Sequence, residues 1–449
     1  MSKLIFYGGV NEVGGNKVFL EDQGTRLYLD MGKSYSQRNR FFKEPFLAPR
    51  DLKDLLELGI LDPLPDLFRL QAPGQVRPVD AVLLSHAHSD HADYISLIHP
   101  LIPVYLGEMS KVILDSAAAT SFRTFENDWS ENQFCLFHPG QRFTIGKLEV
   151  EPFPVDHAIP GSFAFILHTT AGPLVYTGDF RLHGPQADLS QAFLQRAAEL
   201  KPIAMISEAT NFCQPPLLVE QEIQSKLEGL LASSPGIVLI SFWFRDFERY
   251  RTVLQAAQTA GRKFVLSLKQ AYFLRALERV RSSAQSIPPI SLEDPFLFAF
   301  VRRRGCVYGW ELEMRDYLAK RGKIVSIDQI RADQSHYLLS LSDFDLPELV
   351  RLKPQPGSLY VRAMSEPFNG EMEEESGRQA NWLDAFGLPS YLLHGSAHVL
   401  PHELRQAIAR VQPRRLFLIH SERPEAMARY LAGTAGEIVV PVRGHPYEL

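Results

Sequence analysis

The stretch Leu84-Ser85-His86-Ala87-His88-Ser89-Asp90-His91-Ala92-Asp93 gathers three histidines and two aspartates within eight residues. It follows Val79-Asp80-Ala81-Val82-Leu83-Leu84, an aliphatic and β-branched run of the kind that forms a buried strand. The polar cluster is therefore expected on the loop at that strand's carboxyl end, where α/β proteins commonly build sites. Neutral imidazole and carboxylate suit zinc and its first-row neighbours, and such close spacing fans the side chains from one turn toward more than one ion. A merely solvated polar loop does not account for this density of histidine.

The same pattern, a strand handing a polar residue to a loop, recurs along the chain. Arg26-Leu27-Tyr28-Leu29 delivers Asp30, whose place at a strand end suits a carboxylate that orients a ligating histidine. Val155-Asp156 precedes His157, and Leu174-Val175-Tyr176-Thr177-Gly178 precedes Asp179. Near the end, Ser390-Tyr391-Leu392-Leu393 leads to His394-Gly395-Ser396-Ala397-His398, and Leu416-Phe417-Leu418-Ile419 leads to His420. Each residue alone is an ordinary loop residue; together they supply the seven or so ligands that an ion pair requires. The arrangement expected is His86, His88 and His157 on one ion, Asp90, His91 and His420 on the other, and Asp179 bridging. A hydroxide shared between the two ions would be the nucleophile, and a phosphodiester its natural electrophile.

The 449 residues exceed one ordinary domain, and 45% hydrophobic with 22% charged residues is the composition of a globular protein. The opening apolar run Leu4-Ile5-Phe6-Tyr7 is too short for a signal peptide or membrane span, so cytoplasmic residence and no membrane partner are expected. Cys135, Cys213 and Cys306 lie far apart and read as buried or inert thiols. A net charge of −5 argues against an indiscriminate nucleic-acid binder, although divalent ions would offset it locally.

Around Gly8-Gly9 the spacing fits a hairpin rather than a dinucleotide-binding turn. Residues 33–75, rich in aromatics and proline, read as an insertion over the site whose aromatics chiefly fill a local core. Two short strands are expected over 134–150. From 211 to 365 helical patterns alternate with apolar strands, which predicts a second unit with a largely parallel sheet. The basic clusters at Arg245, Arg249 and Arg251, at Arg302-Arg303-Arg304 and at Arg414-Arg415 fit solvated helix faces or phosphate contacts.

The His86-Ala87-His88-Ser89-Asp90-His91 motif, with Asp30, His157 and Asp179, resembles the metallo-β-lactamase superfamily. Ser207-Glu208-Ala209-Thr210-Asn211, Gly395-Ser396-Ala397-His398 and Ile419-His420-Ser421-Glu422 resemble the acidic, histidine and final-histidine motifs of its β-CASP branch of nucleases. The resemblance implies a four-layer αβ/βα sandwich at 1–210 and 366–449, with an α/β β-CASP domain inserted at 211–365. His420, where DNA-repair relatives commonly carry valine, and Ser365-Glu366-Pro367-Phe368-Asn369 are similar to the ribonuclease J-like group. Ser-Ala-His and His-Ser-Glu depart from that group's more usual Ser-Gly-His and His-Gly-Glu. The stretch after His420 is too short for the C-terminal domain of bacterial ribonuclease J.

The resemblance further implies a metal-dependent ribonuclease, exo- or endonucleolytic, in RNA processing or decay, with two divalent ions, Zn²⁺ or else Mn²⁺. Asp90 counts as a catalytic residue as well as a ligand. His398, free of the metals, is expected to stabilise or protonate the leaving 3′ oxygen, with Glu208 orienting it. His394 and Ser396 are candidates to touch a substrate phosphate. RNA is the expected partner, and a homodimer is compatible with the sequence. A DNA nuclease of the same branch, a thioester or ester hydrolase of the wider superfamily, and an inactive scaffold are the alternatives. The full ligand set argues against the scaffold, and the inserted domain against the small-molecule enzyme.

Overall fold

The computed structural model describes residues 2–43, 46–64, 67–69, 79–212, 218–280, 290–303, 305–364 and 370–449, the last with side chains from 374 onward. The chain divides into two compact units, one of Met1–Leu114, Ser121–Gln214 and Ala397–Leu449, the other of Asp115–Thr120 and Pro215–Ser396. The return to the first unit thus falls after Ser396, not at the expected residue 366. The reason is pairing: Ser390–Leu392 lies parallel to Leu359–Arg362 and extends the second unit's sheet. The helix Gly370–Ala385 before it is tied to the same unit, since Gln379 Nε2 donates to Asp343 Oδ1 at 2.6 Å and to the Tyr360 hydroxyl at 2.9 Å. Ser365-Glu366-Pro367-Phe368-Asn369, Cys213 and Arg304 lie outside the described residues.

The first unit holds two seven-stranded sheets. One runs in the order Pro446–Glu448, Ser2–Gly8, Lys17–Asp22, Thr25–Leu29, Ala81–Leu83, Val104–Gly107, Phe134–Phe137. The other runs Glu437–Val439, Arg415–Ile419, Ala204–Glu208, Gly172–Tyr176, Phe163–Thr169, Leu148–Pro154, Phe143–Ile145. Alternate residues of both, among them Leu4, Phe6, Leu27, Leu83, Phe165, Tyr176, Ile206 and Phe417, meet in one buried core. This is the period-2 patterning of strands that each bury a face against a partner sheet. On its other face the second sheet packs Val175, Met205 and Leu418 against Phe193, Leu194, Leu404 and Ile408 of the helices Ala187–Leu200 and Pro401–Val411. These are the layers of a metallo-β-lactamase sandwich. The opening hairpin forms as expected. Residues 134–150 contain parts of three strands rather than two, because Gly146, at φ +57°, turns the chain sharply between Phe143–Ile145 and Leu148–Pro154.

The described part of the insertion at 33–75 is braced rather than loose. Arg38 pairs with Glu126 at 3.0 Å, Lys33 with Glu126 at 3.3 Å, and the Tyr35 hydroxyl lies 2.7 Å from Ser89 Oγ. Phe42 and Phe68 are buried, as core-filling aromatics should be, whereas Phe46 is exposed.

The second unit's sheet, ordered Ile324–Val325, Leu297–Phe300, Lys263–Ser267, Tyr337–Ser340, Val238–Ser241, Leu359–Arg362, Ser390–Leu392, is parallel throughout. Arg249 overturns its reading as a solvated or phosphate-contacting residue. It is buried, donating to Glu220 Oε1 at 2.7 Å and to the carbonyls of Ala363 and Leu393 at 3.0 and 3.2 Å. Arg249→Leu takes the guanidinium from the half-buried Glu220, which keeps only weaker donors such as Thr252 Oγ1 at 2.6 Å, so it should destabilise the unit by about 3 kcal/mol, read as a lower denaturant midpoint. An unchanged midpoint would show that the pair contributes nothing. Arg302 is likewise engaged, with Asp345 and the Phe344 carbonyl, and Arg415 with Glu437. Cys306 is exposed, not buried, and Cys135 is intermediate. No helix among the described residues is long and apolar enough to cross a membrane.

Candidate metal centre

All the histidines and carboxylates proposed as ligands come from strand ends of the first unit. Ala81–Leu83 lies between Thr25–Leu29 and Val104–Gly107, so Ser85 to His91 emerge at the carboxyl edge of the first sheet. The short helical turn Ser89–Ala92 then points Asp90 and His91 back at the sheet edge. Asp179 follows Gly172–Tyr176 and Glu208 ends Ala204–Glu208, while His420 follows Arg415–Ile419, three neighbouring strands of the second sheet. Gly178, at φ +54°, makes the approach of the two edges possible: a Cβ there would lie 2.9 Å from Ser85 Cβ and 3.0 Å from the Phe163 carbonyl oxygen.

Three overlapping donor groups result. In one, His86, His88, His157 and Asp179 each place a ligand atom within 4.8 Å of the others; in the second, Asp90, His91 and His420 do the same; the third, Asp179, Glu208, His398 and His420, lies beside these two. His86 Nε2 and His157 Nε2 each lie 3.0 Å from His88 Nδ1. Tetrahedral zinc holds its ligand nitrogens about 3.3 Å apart, close to this spacing. Asp179 Oδ2 stands between the groups, 3.1 Å from His91 Nε2, 3.7 Å from His86 Nε2, 3.7 Å from His420 Nε2 and 3.9 Å from His157 Nε2. His420 Nε2 is also 3.1 Å from Asp90 Oδ2. Asp93, the last acid of the opening stretch, is instead 4.0 Å from Lys33 Nζ.

Hydrogen bonds behind the candidate ligands decide which ring nitrogen faces inward. Asp30, fully buried at φ +59°, accepts from Ser85 N at 2.7 Å, Ser85 Oγ at 2.8 Å, the Tyr176 hydroxyl at 2.5 Å and His91 Nδ1 at 2.7 Å. Hydrogen bonds to a carboxylate contribute about 1.5–3 kcal/mol each, enough to hold a buried charge and a left-handed backbone. Because Ser85 gives its hydrogen to Asp30, its lone pair receives His86 Nδ1–H at 3.0 Å. His157 Nδ1 donates to the Ala397 carbonyl at 2.7 Å. In His86 and His157 the proton thus sits on Nδ1 and Nε2 presents its lone pair to the cluster, and in His91 the Nδ1 proton is fixed on Asp30, so that a metal would displace only the Nε2 proton.

The residues fit a divalent cation. Asp179 Oδ1 is buried and finds no hydrogen-bond donor among the described residues. Burial, then the neighbouring imidazoles, push His86 and His157 well below the usual histidine range, so both are neutral as ligation requires. Burial also opposes charge on His91, but Asp179, Asp30 and Asp90 outweigh it and hold that ring well above its ordinary value. The same three carboxylates would welcome a metal's charge. Burial raises and His91 and His420 more strongly lower the Asp90 carboxyl, which stays ionised. A further group, Glu149, Glu151 and His168, sits with Arg142 and Arg196, whose guanidiniums already answer its charge.

His398 stands beside the cluster, its Nδ1 2.9 Å from Glu208 Oε2 and 3.8 Å from Asp179 Oδ2. Burial pulls its pKa down, but Glu208 and then Asp179 push it up to about 9. Glu208 is held in turn by Phe180 N at 2.8 Å and Thr210 Oγ1 at 2.7 Å. His394 and Ser396 fall in the second unit, where the His394 carbonyl accepts from Leu218 N at 3.2 Å.

Sequence reasoning missed Ser85, Tyr176, Thr210 and the buried Asp156–Arg181 pair, joined at 3.0 Å. Their only signal was adjacency: each lies within three residues of a candidate site residue.

The sandwich with its edge cluster has the metallo-β-lactamase fold, and the family described as Beta-lactamase superfamily domain matches residues 60–199. Within that fold the chain is similar to ribonuclease J proteins. It is 26% identical over 370 residues to a "Ribonuclease J" of Sinorhizobium meliloti, covering 80% of this chain and 60% of that protein. A Thermus thermophilus "Ribonuclease J" is 23% identical over 448 residues, with coverage of 94% and 68%. A solved structure of a protein of unknown function from Enterococcus faecalis V583 matches along both whole chains with a TM-score of 0.77 at 22% identity.

Proposed function

We propose that the chain is a metal-dependent ribonuclease. The observation that carries this reading is the pair of donor groups with Asp179 Oδ2 between them, and the His398–Glu208 pair beside them. The similarity to ribonuclease J supports RNA as the substrate, and the chain spans 60% of the first of those relatives.

His86, His88 and His157 would hold one divalent ion, Asp90, His91 and His420 a second, and Asp179 would bridge them. Zinc suits the imidazole-rich set, and manganese accepts the same donors. Such ions supply an activated water and neutralise charge developing on a phosphodiester. The chain's own residues do the rest. Asp30, Ser85 and the Ala397 carbonyl fix the tautomers, so no ring must reorient during turnover. His398, kept cationic by Glu208, donates from its ring to the departing 3′ oxygen, which leaves 3′-hydroxyl and 5′-phosphate ends. His394 and Ser396 are assigned to an RNA phosphate on the resemblance alone.

A 5′-labelled RNA with a monophosphate or triphosphate end, beside DNA of the same sequence, tests this on enzyme of measured metal content. RNA cleavage that stops when metal is chelated is the expected result. Mononucleotide release from the monophosphate form alone means exonuclease action, and internal fragments from both mean endonuclease action. Metal-loaded protein that leaves both RNAs intact, or cuts only DNA, overturns the reading.

A further inference from the structure

Thr210 lies between the two halves of the centre. Its Oγ1 is 2.8 Å from His420 Nδ1, 2.7 Å from Glu208 Oε2, 3.1 Å from the His420 carbonyl oxygen and 3.4 Å from His398 Nδ1. A hydroxyl has one hydrogen and two lone pairs. Glu208 Oε2 and the His420 carbonyl can only accept, and the carboxylate is both nearer and charged, so the hydrogen goes to Glu208. The lone pairs of Oγ1 are then left for a donor, and His420 Nδ1–H is the donor at hand.

We infer that Thr210 is a positioning residue whose hydroxyl fixes the tautomer and angle of His420 and ties that ring to the Glu208–His398 pair. The chain of bonds runs His420 Nδ1–H to Thr210 Oγ1, Thr210 Oγ1–H to Glu208 Oε2, with Glu208 Oε2 also accepting from His398 Nδ1–H. It leaves His420 Nε2, 3.1 Å from Asp90 Oδ2 and 3.7 Å from Asp179 Oδ2, as the nitrogen that would give its lone pair to an ion held between them. The opposite tautomer would set an Nδ1 lone pair against Oγ1, draw the hydroxyl hydrogen away from Glu208 and deprive that buried carboxylate of a donor.

His420 needs such an anchor. Its backbone is left-handed, at φ +56°, and is held by its own N–H on the Gly9 carbonyl at 2.7 Å, which orients the main chain but not the ring. Thr210 is itself held from its C-terminal side, where Asn211 Nδ2 donates to the carbonyls of His398 and Val399 at 2.9 and 3.2 Å. One hydroxyl therefore sets the separation of a metal-facing imidazole and an acid-bearing one.

The inference rests on the metal-dependent hydrolase reading, and its test reads metal retention as well as turnover. Thr210→Val keeps the shape of the side chain and removes the hydroxyl, and Thr210→Ser keeps the hydroxyl. In Thr210→Val the chelator concentration that removes one ion per chain should fall about 10–100-fold, the usual effect of losing a partner behind a ligand. Its kcat on RNA should fall by a similar factor with KM little changed, and Thr210→Ser should restore both. Should Thr210→Val not fold, Thr210→Ala against Thr210→Ser makes the same comparison. Wild-type metal retention in the hydroxyl-free variant overturns the inference, as does a Thr210→Ser protein that is folded yet equally impaired. Wild-type protein that binds metal but spares RNA would sink the ribonuclease reading alone, since the chelator comparison needs no RNA.

Discussion

Asp179→Ala is expected to lose its bound metal and with it all measurable cleavage, a drop of at least about 10³-fold, because charge neutralisation by the ions is worth several kcal/mol of barrier. The expectation rests on where Oδ2 sits: the nearest nitrogens of His91, His86, His420, His398 and His157 all lie between 3.1 and 3.9 Å away. A single carboxylate serves five imidazoles. Without it the two donor groups have no anion between them, and burial disfavours bringing two dications so close together. Elemental analysis of the purified variant beside a turnover assay is the measurement. A variant that keeps two ions and full rate would show that Asp179 bridges nothing.

His398→Ala should behave in the opposite way with respect to metal. Its ring is held by Glu208 at 2.9 Å, and although it also lies 3.8 Å from Asp179 Oδ2 and groups with His420, neither of the two proposed ions takes it as a ligand. Metal content should therefore match wild type, while single-turnover cleavage falls about 10²–10⁴-fold, the range for removal of a general acid. A substrate whose leaving group needs no proton should lose much less. Loss of metal in this variant would make His398 a ligand and dissolve the division of labour between the two sides of the site.

The residues of the donor groups were legible in the sequence because the chemistry is concentrated there. Two histidines one residue apart and a third three further on, at the end of an aliphatic strand, have few bland explanations, and Asp179 and His420 each follow a strand of the same texture. Their surroundings were not legible. Tyr176 reaches Asp30 across 146 residues, and Thr210 reaches His420 across 210, with hydroxyls that are unremarkable wherever they occur in a sequence. Local pattern carries no trace of such partners, since their geometry is set only when the sheets close.

The fold shows the same division. The sandwich strands and the parallel second sheet followed from periodicity, but Phe163–Thr169, Leu297–Phe300 and Tyr337–Ser340 did not stand out. The last two are four-residue apolar runs, too short for period alone to separate strand from buried helix. The boundary near 365 failed for a related reason: a helix and a three-residue strand gave no sign of which sheet would take them.

The backbone bond from His420 N to the Gly9 carbonyl, and the pairing of Pro446–Glu448 with Ser2–Gly8, give the centre a place in time as well as in space. Domains generally fold as they leave the ribosome, beginning with the N-terminal ones. Here the residues from His86 to Asp179 emerge early, yet His398 and His420 are made only after the whole second unit. A chain still being translated, or one cut short inside that unit, carries most of the donors and neither the acid nor the closing imidazole. For the ribonuclease proposed, competence to hydrolyse therefore waits on residues made after the second unit, and a copy cut short inside that unit is unarmed.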